Sequence, residues 1–182
     1  LVRKHIPDMA PFVSSTGSPM YYSAQIVKEK YPAAKQVFIG PCIAKRKEAK
    51  GNPNVDYVMT FEELGSVLSG YEIDFDKVEP YEVEVLSVKE AHAFGQSGGV
   101  AGAVKAFLGE DVNSLRVAGM DKKNIALMKS YAKTKKAPAR FLEMMVCPDG
   151  CISGPCTYND TVSGKKQYNT ELDTIDDTYA SR

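Results

Sequence analysis

Cys147 and Cys151 stand in the run Glu143-Met144-Met145-Val146-Cys147-Pro148-Asp149-Gly150-Cys151-Ile152-Ser153-Gly154-Pro155-Cys156, with three residues between the two sulfurs. Proline and glycine between them, and β-type residues before them, describe a strand that ends in a tight turn. Such a turn lets two sulfurs and several backbone N–H groups converge on one small object. Thiolates that hold an iron–sulfur cluster, tuned by hydrogen bonds to sulfur, are the chemistry this arrangement would serve. Cys42, in Ile39-Gly40-Pro41-Cys42-Ile43-Ala44-Lys45, also follows an apolar strand-like run. An isolated cysteine is most often a buried apolar thiol. Here each has Gly or Pro beside it, and together they point to a metal cluster.

The elements that must position these thiols fit within 182 residues, enough for one domain or two small lobes with a core. Lys and Arg number 23, as do Asp and Glu, and no basic stripe is visible. Nucleic acid and anionic membrane are therefore poor partners. The longest apolar runs are too short to span a bilayer, and no signal peptide opens the sequence. Four cysteines could make two disulfides. A chain with a normal core does not need them, so reduced, liganding thiols in a cytoplasm-like compartment are expected. Leu1-Val2-Arg3-Lys4-His5-Ile6 reads as the middle of an uncapped helix, and the chain is expected to be a piece of something longer.

Phe12-Val13-Ser14-Ser15 is strand-like, and Ser18-Pro19 then supplies an N-cap with proline at the first helical position. Tyr22 and Ile26, beside Ala24, Val27 and Tyr31, give that helix an apolar face, and Pro32 follows its end. Val37-Phe38-Ile39 reads as a buried strand, residues 45–50 as a charged helix face or loop, and Asp56-Tyr57-Val58-Met59 as a second strand. Thr60 with Glu63 forms a capping box for a helix with Phe61, Leu64, Val67 and Leu68, ended by Gly70. The acidic stretch 71–93 reads as irregular, with one strand near 82–88. Phe94-Gly95-Gln96-Ser97-Gly98-Gly99 opens a helix with Val100, Val104, Phe107 and Leu108 inward. Leu115-Arg116-Val117-Ala118 is a strand, Asp121 caps a helix with Ile125, Met128, Tyr131 and Ala132 inward, and 139–145 is the strand that delivers Cys147. Residues 158–182 read as a polar tail that packs loosely.

Alternating strands and helices predict an α/β fold with a mainly parallel sheet flanked by helices. In open α/β sheets, ligands sit beyond the carboxyl ends of the strands. Cys42 and Cys147 each lie just after a strand, and Gly95 to Gly99 at a helix N-terminus. The three segments are expected to meet at one sheet edge.

These residues resemble the catalytic domain of the iron-only (FeFe) hydrogenases, which carries three signature segments around an active-site H-cluster. Pro41-Cys42-Ile43-Ala44-Lys45 matches the second, Pro-Cys-x-x-Lys; Glu143 to Gly154 matches the third, Glu-x-Met-x-Cys-x-x-Gly-Cys-x-x-Gly. Phe94 to Val100 matches a Phe-Gly-x-x-Gly-Gly-Val turn, and Ser18-Pro19 a Ser-Pro pair that opens a helix. The similarity is collinear from Leu1 to about Gly154. It implies an iron-hydrogenase-like fold over residues 1–157, as one domain or two small α/β lobes. It further implies that Cys42 and Cys147 ligate a four-iron, four-sulfur cubane and that Cys151 bridges the cubane to a two-iron subsite. Lys45 would donate to a cyanide on the distal iron, as an anionic ligand in a dry pocket requires. Met145 would wall the two-iron site, Ser18 and Pro19 would line its pocket, and Phe94 and Gly95 would close it, Gly95 because a side chain would collide with the subsite. Ser14 falls where the family has a serine on its proton route. His5 and His92 match no functional position. The parent would interconvert H2 with protons and electrons in an anaerobic cytoplasm, served by an electron carrier such as ferredoxin or by further iron–sulfur domains.

The departures are informative. The first signature, Thr-Ser-Cys-Cys-Pro, is absent and would fall just before Leu1. Gly40 replaces a methionine, Met20 a glutamine, and Pro155-Cys156 a glycine run; Gly40 and the Gly154-Pro155-Cys156 ending look like the sensory branch of the family. With that signature missing, the H-cluster is expected to be absent or incomplete in the isolated chain. A colourless preparation, with free thiols, an opportunistic metal or a disulfide in the Cys147–Cys156 loop, is anticipated. Two other readings remain open. One is a non-catalytic iron–sulfur protein of the hydrogenase-like assembly-factor type, which has no evident need for Lys45, Met145 or Phe94-Gly95. The other is a structural zinc site on Cys42, Cys147, Cys151 and Cys156, although zinc favours closer Cys-x-x-Cys spacing.

Overall fold

Capping side chains set where the helices begin. Ser18, Thr60, Asp121 and Asp160 each take extended backbone and accept a hydrogen bond from an N–H of the first helical turn. Thr60 and Glu63 complete a reciprocal capping box. The computed structural model of the chain describes residues 1–81, 87–178 and 181. In chain order it contains α1 (Val2–His5), α2 (Pro19–Lys30), β1 (Val37–Ile39), α3 (Lys45–Ala49), β2 (Tyr57–Met59), α4 (Phe61–Gly70), α5 (Lys89–His92), α6 (Gly99–Leu108), β3 (Ser114–Ala118), α7 (Lys122–Thr134), β4 (Phe141–Met145) and α8 (Thr161–Asp173). Short 3-10 turns fall between several of them.

The chain divides into two compact units. The first comprises Leu1–Ser14, Val85–Ser153 and Asn159–Arg182; the second, Ser15–Glu84 and Gly154–Tyr158. In the first unit, β3 and β4 pair in parallel from Ser114 opposite Phe141 to Ala118 opposite Met145. Helix α7 makes the crossover between them, as parallel pairing requires. Ile6, Met9, Val117, Met128 and Ala132 form the core, with Leu115, Ile125, Tyr131, Leu142 and Met144 packed around it. In the second unit, β1 and β2 pair in parallel, Val37 opposite Tyr57 and Ile39 opposite Met59. Met20 and Ala24 of α2 pack with Val55, Phe38 and Val58 on one face of that pair. The buried amide of Gln36 donates to Ala24 C=O and fastens the helix to the strand.

Several expectations need correction. The strands pair in parallel as expected, but among the described residues they form two two-stranded pairs, so Cys42 and Cys147 follow strands of different sheets. Phe12 to Ser15 is not a strand: Phe12 ends a 3-10 turn, and Val13 to Ser15 belong to no strand. Helix α2 buries Met20 and Ala24, whereas Tyr22, Ile26, Val27 and Tyr31 are exposed. In α6, Ala103 is buried and Phe107 and Leu108 face outward. A face inferred from apolar residues alone misplaces the stripe, because small residues allow closer approach of a helix to its neighbour. The polar tail contains α8, capped by Asp160 and held by buried Leu172, so it does not pack loosely. The strand expected near 82–88 falls largely outside the described residues.

Met128, with no exposed surface, fills the centre of the first unit. Met128→Ala should cost about 2–5 kcal/mol in urea unfolding, from lost burial and the cavity left behind. Ile26→Ala, at an exposed position, should leave stability unchanged within about 0.5 kcal/mol.

Candidate metal centre

The β3–β4 ladder continues past β4, with Gly119 N–H donating to Met145 C=O and Met120 N–H to Val146 C=O. It carries the chain straight into a tight turn in which Gly150 N–H donates to Cys147 C=O at 3.2 Å. Proline second and glycine last are the residues such a turn favours, and Gly150 takes φ +84°. The Ser153 hydroxyl accepts from Asp149 N–H at 3.0 Å and donates to Gly150 C=O, bracing the turn from below. Cys147 is half-buried at its start and Cys151 exposed just past its end.

A second segment of the same unit is fastened to this turn. Gln96 bridges Gly150 in antiparallel fashion, and Ser97 N–H donates to Asp149 C=O at 3.1 Å. A Cβ on Gly150 would meet Ser97 N, Gln96 C and Gly95 O at 2.7–2.8 Å. The glycine is therefore required by backbone approach. Glu143, on β4 and 4% exposed, accepts from Gly98 N–H at 2.5 Å and Ala101 N–H at 2.8 Å. Its carboxylate thus caps α6 from the strand. Phe94 and Gly95 form the 3-10 turn just before, and Met145 ends β4 half-buried.

Tyr168 of α8 reaches Gly95. Gly95 N–H donates to the phenol oxygen at 3.1 Å, and the hydroxyl donates to His92 C=O. A Cβ at position 95 would run into this ring, lying 2.8 Å from Tyr168 Cζ. Burial pushes the Tyr168 phenol up, the Gly95 hydrogen bond opposes it, and the nearby Cys151 sulfur adds to the rise. Gly95 needs its missing side chain for the tyrosine, whether or not a cofactor is near.

In the second unit, Gly40 N–H donates to Met59 C=O and extends the β1–β2 ladder to the edge of Pro41-Cys42. Cys42 is half-buried, and its C=O accepts from Lys45 N–H as α3 begins. The Lys45 ammonium lies 2.5 Å from Glu48 Oε2, and the Ser18 hydroxyl donates to Glu48 Oε1. Burial would raise the Glu48 carboxyl, but the Lys45 and Ser18 hydrogen bonds and the Lys45 charge together outweigh it and hold the group below the ordinary glutamate value. Pro19 opens α2 directly after Ser18. Cys156 is buried, with its N–H donating to Pro41 C=O at 3.3 Å. Burial pushes its thiol up, with Glu62 adding to the rise, while a hydrogen bond with Thr60 acts the other way.

The structure thus gathers Phe94, Gly95, Met145, Cys147 and Cys151 in the first unit, and Ser18, Pro19, Cys42 and Lys45 in the second. Ser14, His5 and His92 are exposed. All four cysteines are thiols. Within either unit, among the described residues, no three His, Cys, Asp or Glu side chains stand together as a metal site. An open cleft of about 890 Å³ in the first unit is lined by Lys89, Lys105, Arg116 and Lys165 and not by the thiols. Sequence reasoning missed Glu48, Tyr168 and the capping role of Glu143. Glu48 had a signal, three residues beyond Lys45 on a helix; Tyr168 had none, because its partner is a glycine far away in sequence.

The sequence matches the family described as iron only hydrogenase large subunit, C-terminal domain, over residues 1–155. It is 28% identical over 199 residues to the periplasmic iron hydrogenase large subunit of Nitratidesulfovibrio vulgaris, covering 82% of this chain and 47% of that one. It is 26% identical over 214 residues to a probable cytosolic iron–sulfur cluster assembly factor of Nematostella vectensis, covering 86% of this chain and 48% of that one. The chain spans about half the length of these two relatives. An FeFe-hydrogenase structure from Chlamydomonas reinhardtii matches with a TM-score of 0.69 at 22% identity, over 97% of this chain and 64% of that one. The fold is accordingly that of the iron hydrogenases. No helix among the described residues is long and apolar enough to cross a membrane.

Gly95→Ala should destabilise the metal-free chain by about 1–3 kcal/mol through overpacking against Tyr168, and combining it with Tyr168→Ala should cost much less than the sum of the single changes. Urea unfolding of the four proteins measures the coupling; additive losses would remove Tyr168 as the reason for the glycine. Because the Glu48 carboxyl is lowered by folding, its contribution is present above the ordinary glutamate value and lost as pH falls below about 4.5. Glu48→Gln should flatten that part of the stability profile between neutral and acid pH.

Proposed function

The chain belongs to the family formed by the C-terminal domains of iron-only hydrogenase large subunits, and from that premise we propose that it serves, within a longer protein, to bind an H-cluster and to interconvert H2 with protons and electrons. The reading is of a slow or sensory hydrogenase, on the strength of Gly40 and the Gly154-Pro155-Cys156 ending. The observation that carries it is the chemistry of the donor set. Each of the three cysteines matched to the second and third signatures is a thiol just beyond a parallel strand, Cys147 and Cys151 flanking one braced turn and Cys42 following β1. Soft thiolates with backbone N–H groups nearby are what iron–sulfur clusters take as ligands.

On this reading Cys42 and Cys147 hold the cubane and Cys151 the link to the two-iron subsite. When bound, the cluster would relay electrons and supply the iron at which H2 chemistry takes place. The chain's own residues hold and shield it. Lys45 presents an ammonium, already fixed in direction by Glu48, to an anionic ligand. Ser18 and Pro19 present a hydroxyl and a rigid helix start; Met145, Phe94 and Gly95 form an apolar wall that excludes water. Electrons would arrive from a ferredoxin-like carrier or from iron–sulfur domains of the parent, in a reducing, cytoplasmic setting. Residues 158–182 extend this domain in the proposal, since Tyr158 and Tyr168 are seated on residues before position 155.

The similarity to an assembly factor favours a second reading, a cluster-holding protein without hydrogen chemistry. Lys45→Ala in the full-length protein separates the two. Under the hydrogenase reading it should abolish the infrared cyanide bands and most activity while the visible absorbance of the cubane stays. A wild-type protein that carries the cubane and shows no cyanide bands after maturation would favour the assembly-factor reading.

A further inference from the structure

Cys156 has no place in the cluster just described, yet it is the most buried of the four cysteines, at 8% exposure. Its backbone N–H donates to Pro41 C=O at 3.3 Å, and the next residue along from that carbonyl is Cys42. This hydrogen bond holds the backbone at Cys156 against the segment that carries Cys42. Standard peptide dimensions then leave at most about 7.5 Å between the two Cα atoms. Disulfides take Cα separations of about 4.4–6.8 Å. Both residues belong to the second unit, so their approach is a property of that unit alone.

We propose that Cys42 and Cys156 are a thiol–disulfide pair, a covalent redox latch on the second cysteine segment. Cys42, the more exposed of the two, attacks a low-molecular-weight disulfide such as oxidised glutathione. Its S–H proton leaves with one glutathione, and a mixed disulfide forms. Cys156 then attacks the Cys42 sulfur, expels the second glutathione and closes the protein disulfide. Two protein S–H bonds and one glutathione S–S bond break, one protein S–S bond forms, and both protons and both electrons end on two molecules of reduced glutathione. Closing the bond asks the Cys156 thiol to leave its present partner, Thr60. A disulfide spanning positions 42 to 156 closes a long loop and so restrains the unfolded chain strongly.

The consequence for metal rests on the proposed function. A sulfur tied up in a disulfide is not a thiolate and cannot ligate iron. The oxidised chain would therefore be closed to cluster loading and its Cys42 protected from over-oxidation; reduction by thiols would reopen it.

The full chain, reduced and freed of reductant without oxygen, is incubated with oxidised glutathione, alkylated and digested without reduction. Peptide mass mapping should find the Cys42–Cys156 peptide as the main linkage, with Cys147 and Cys151 alkylated as thiols. A main linkage of Cys147 to Cys151 or to Cys156, or glutathione remaining on Cys42 as the end product, overturns the pair. Cys156→Ser should stop at the glutathione adduct on Cys42, and closure of a Cys42 linkage in that variant would equally overturn it. The full-length protein, oxidised and reduced, is then offered iron and sulfide. The oxidised chain should take up roughly threefold less iron until dithiothreitol is added; equal uptake by both overturns the latch. A reduced chain that binds no iron overturns the iron reading of Cys42, while the linkage map still decides the pair.

Discussion

Glu143 is the constraint on which the first unit depends. A carboxylate buried on a strand must find compensation, or it costs several kcal/mol. It finds two backbone N–H groups at the start of α6, Gly98 and Ala101, where the helix dipole also favours a negative charge. The strand that delivers Cys147 is thereby locked to the turn that carries Phe94 and Gly95. Gln96 and Ser97, held next to it, then pair with Gly150 and Asp149, so the cysteine turn is braced from a second side. One acid four residues before Cys147 fixes a loop some forty residues away in sequence.

Glu48 does similar work in the second unit, at lower stakes because it is only half-buried. It gathers the Lys45 ammonium and the Ser18 hydroxyl, and so joins the start of α2 to the helix that follows Cys42. A long flexible lysine loses much side-chain entropy when it is held in one direction. An intrachain carboxylate meets part of that cost in advance and keeps the cation near the thiol segment. Both carboxylates act on residues matched to the family signatures without themselves being ligands.

The glycines of the site have protein reasons for being glycines. Gly150 admits the backbone of Gln96 and Ser97, and Gly95 admits the Tyr168 ring. Gly99 lies so close to the Ala93 carbonyl that any side chain would require the backbone to move. Helix α8, beyond the family-matched residues, is therefore part of how the Phe94-Gly95 turn is held.

Some of this was legible in the amino-acid order itself. Caps at Ser18, Thr60 and Asp121, the turn residues Pro148 and Gly150, and the strands before Cys42 and Cys147 are local signals. The caps and the turn depend on bonds between residues a few positions apart and the strands announce themselves as short apolar runs, and all formed as the sequence implied. The order and spacing of the cysteines likewise sufficed to place the chain in its family. The buried faces of α2 and α6, the split into two strand pairs, and the docking of Tyr168 on Gly95 were decided by tertiary structure. These depend on which surfaces meet across long stretches of chain. A small residue such as Ala24 or Ala103 is buried because a neighbour packs closely over it, and no periodicity in its own segment records that neighbour.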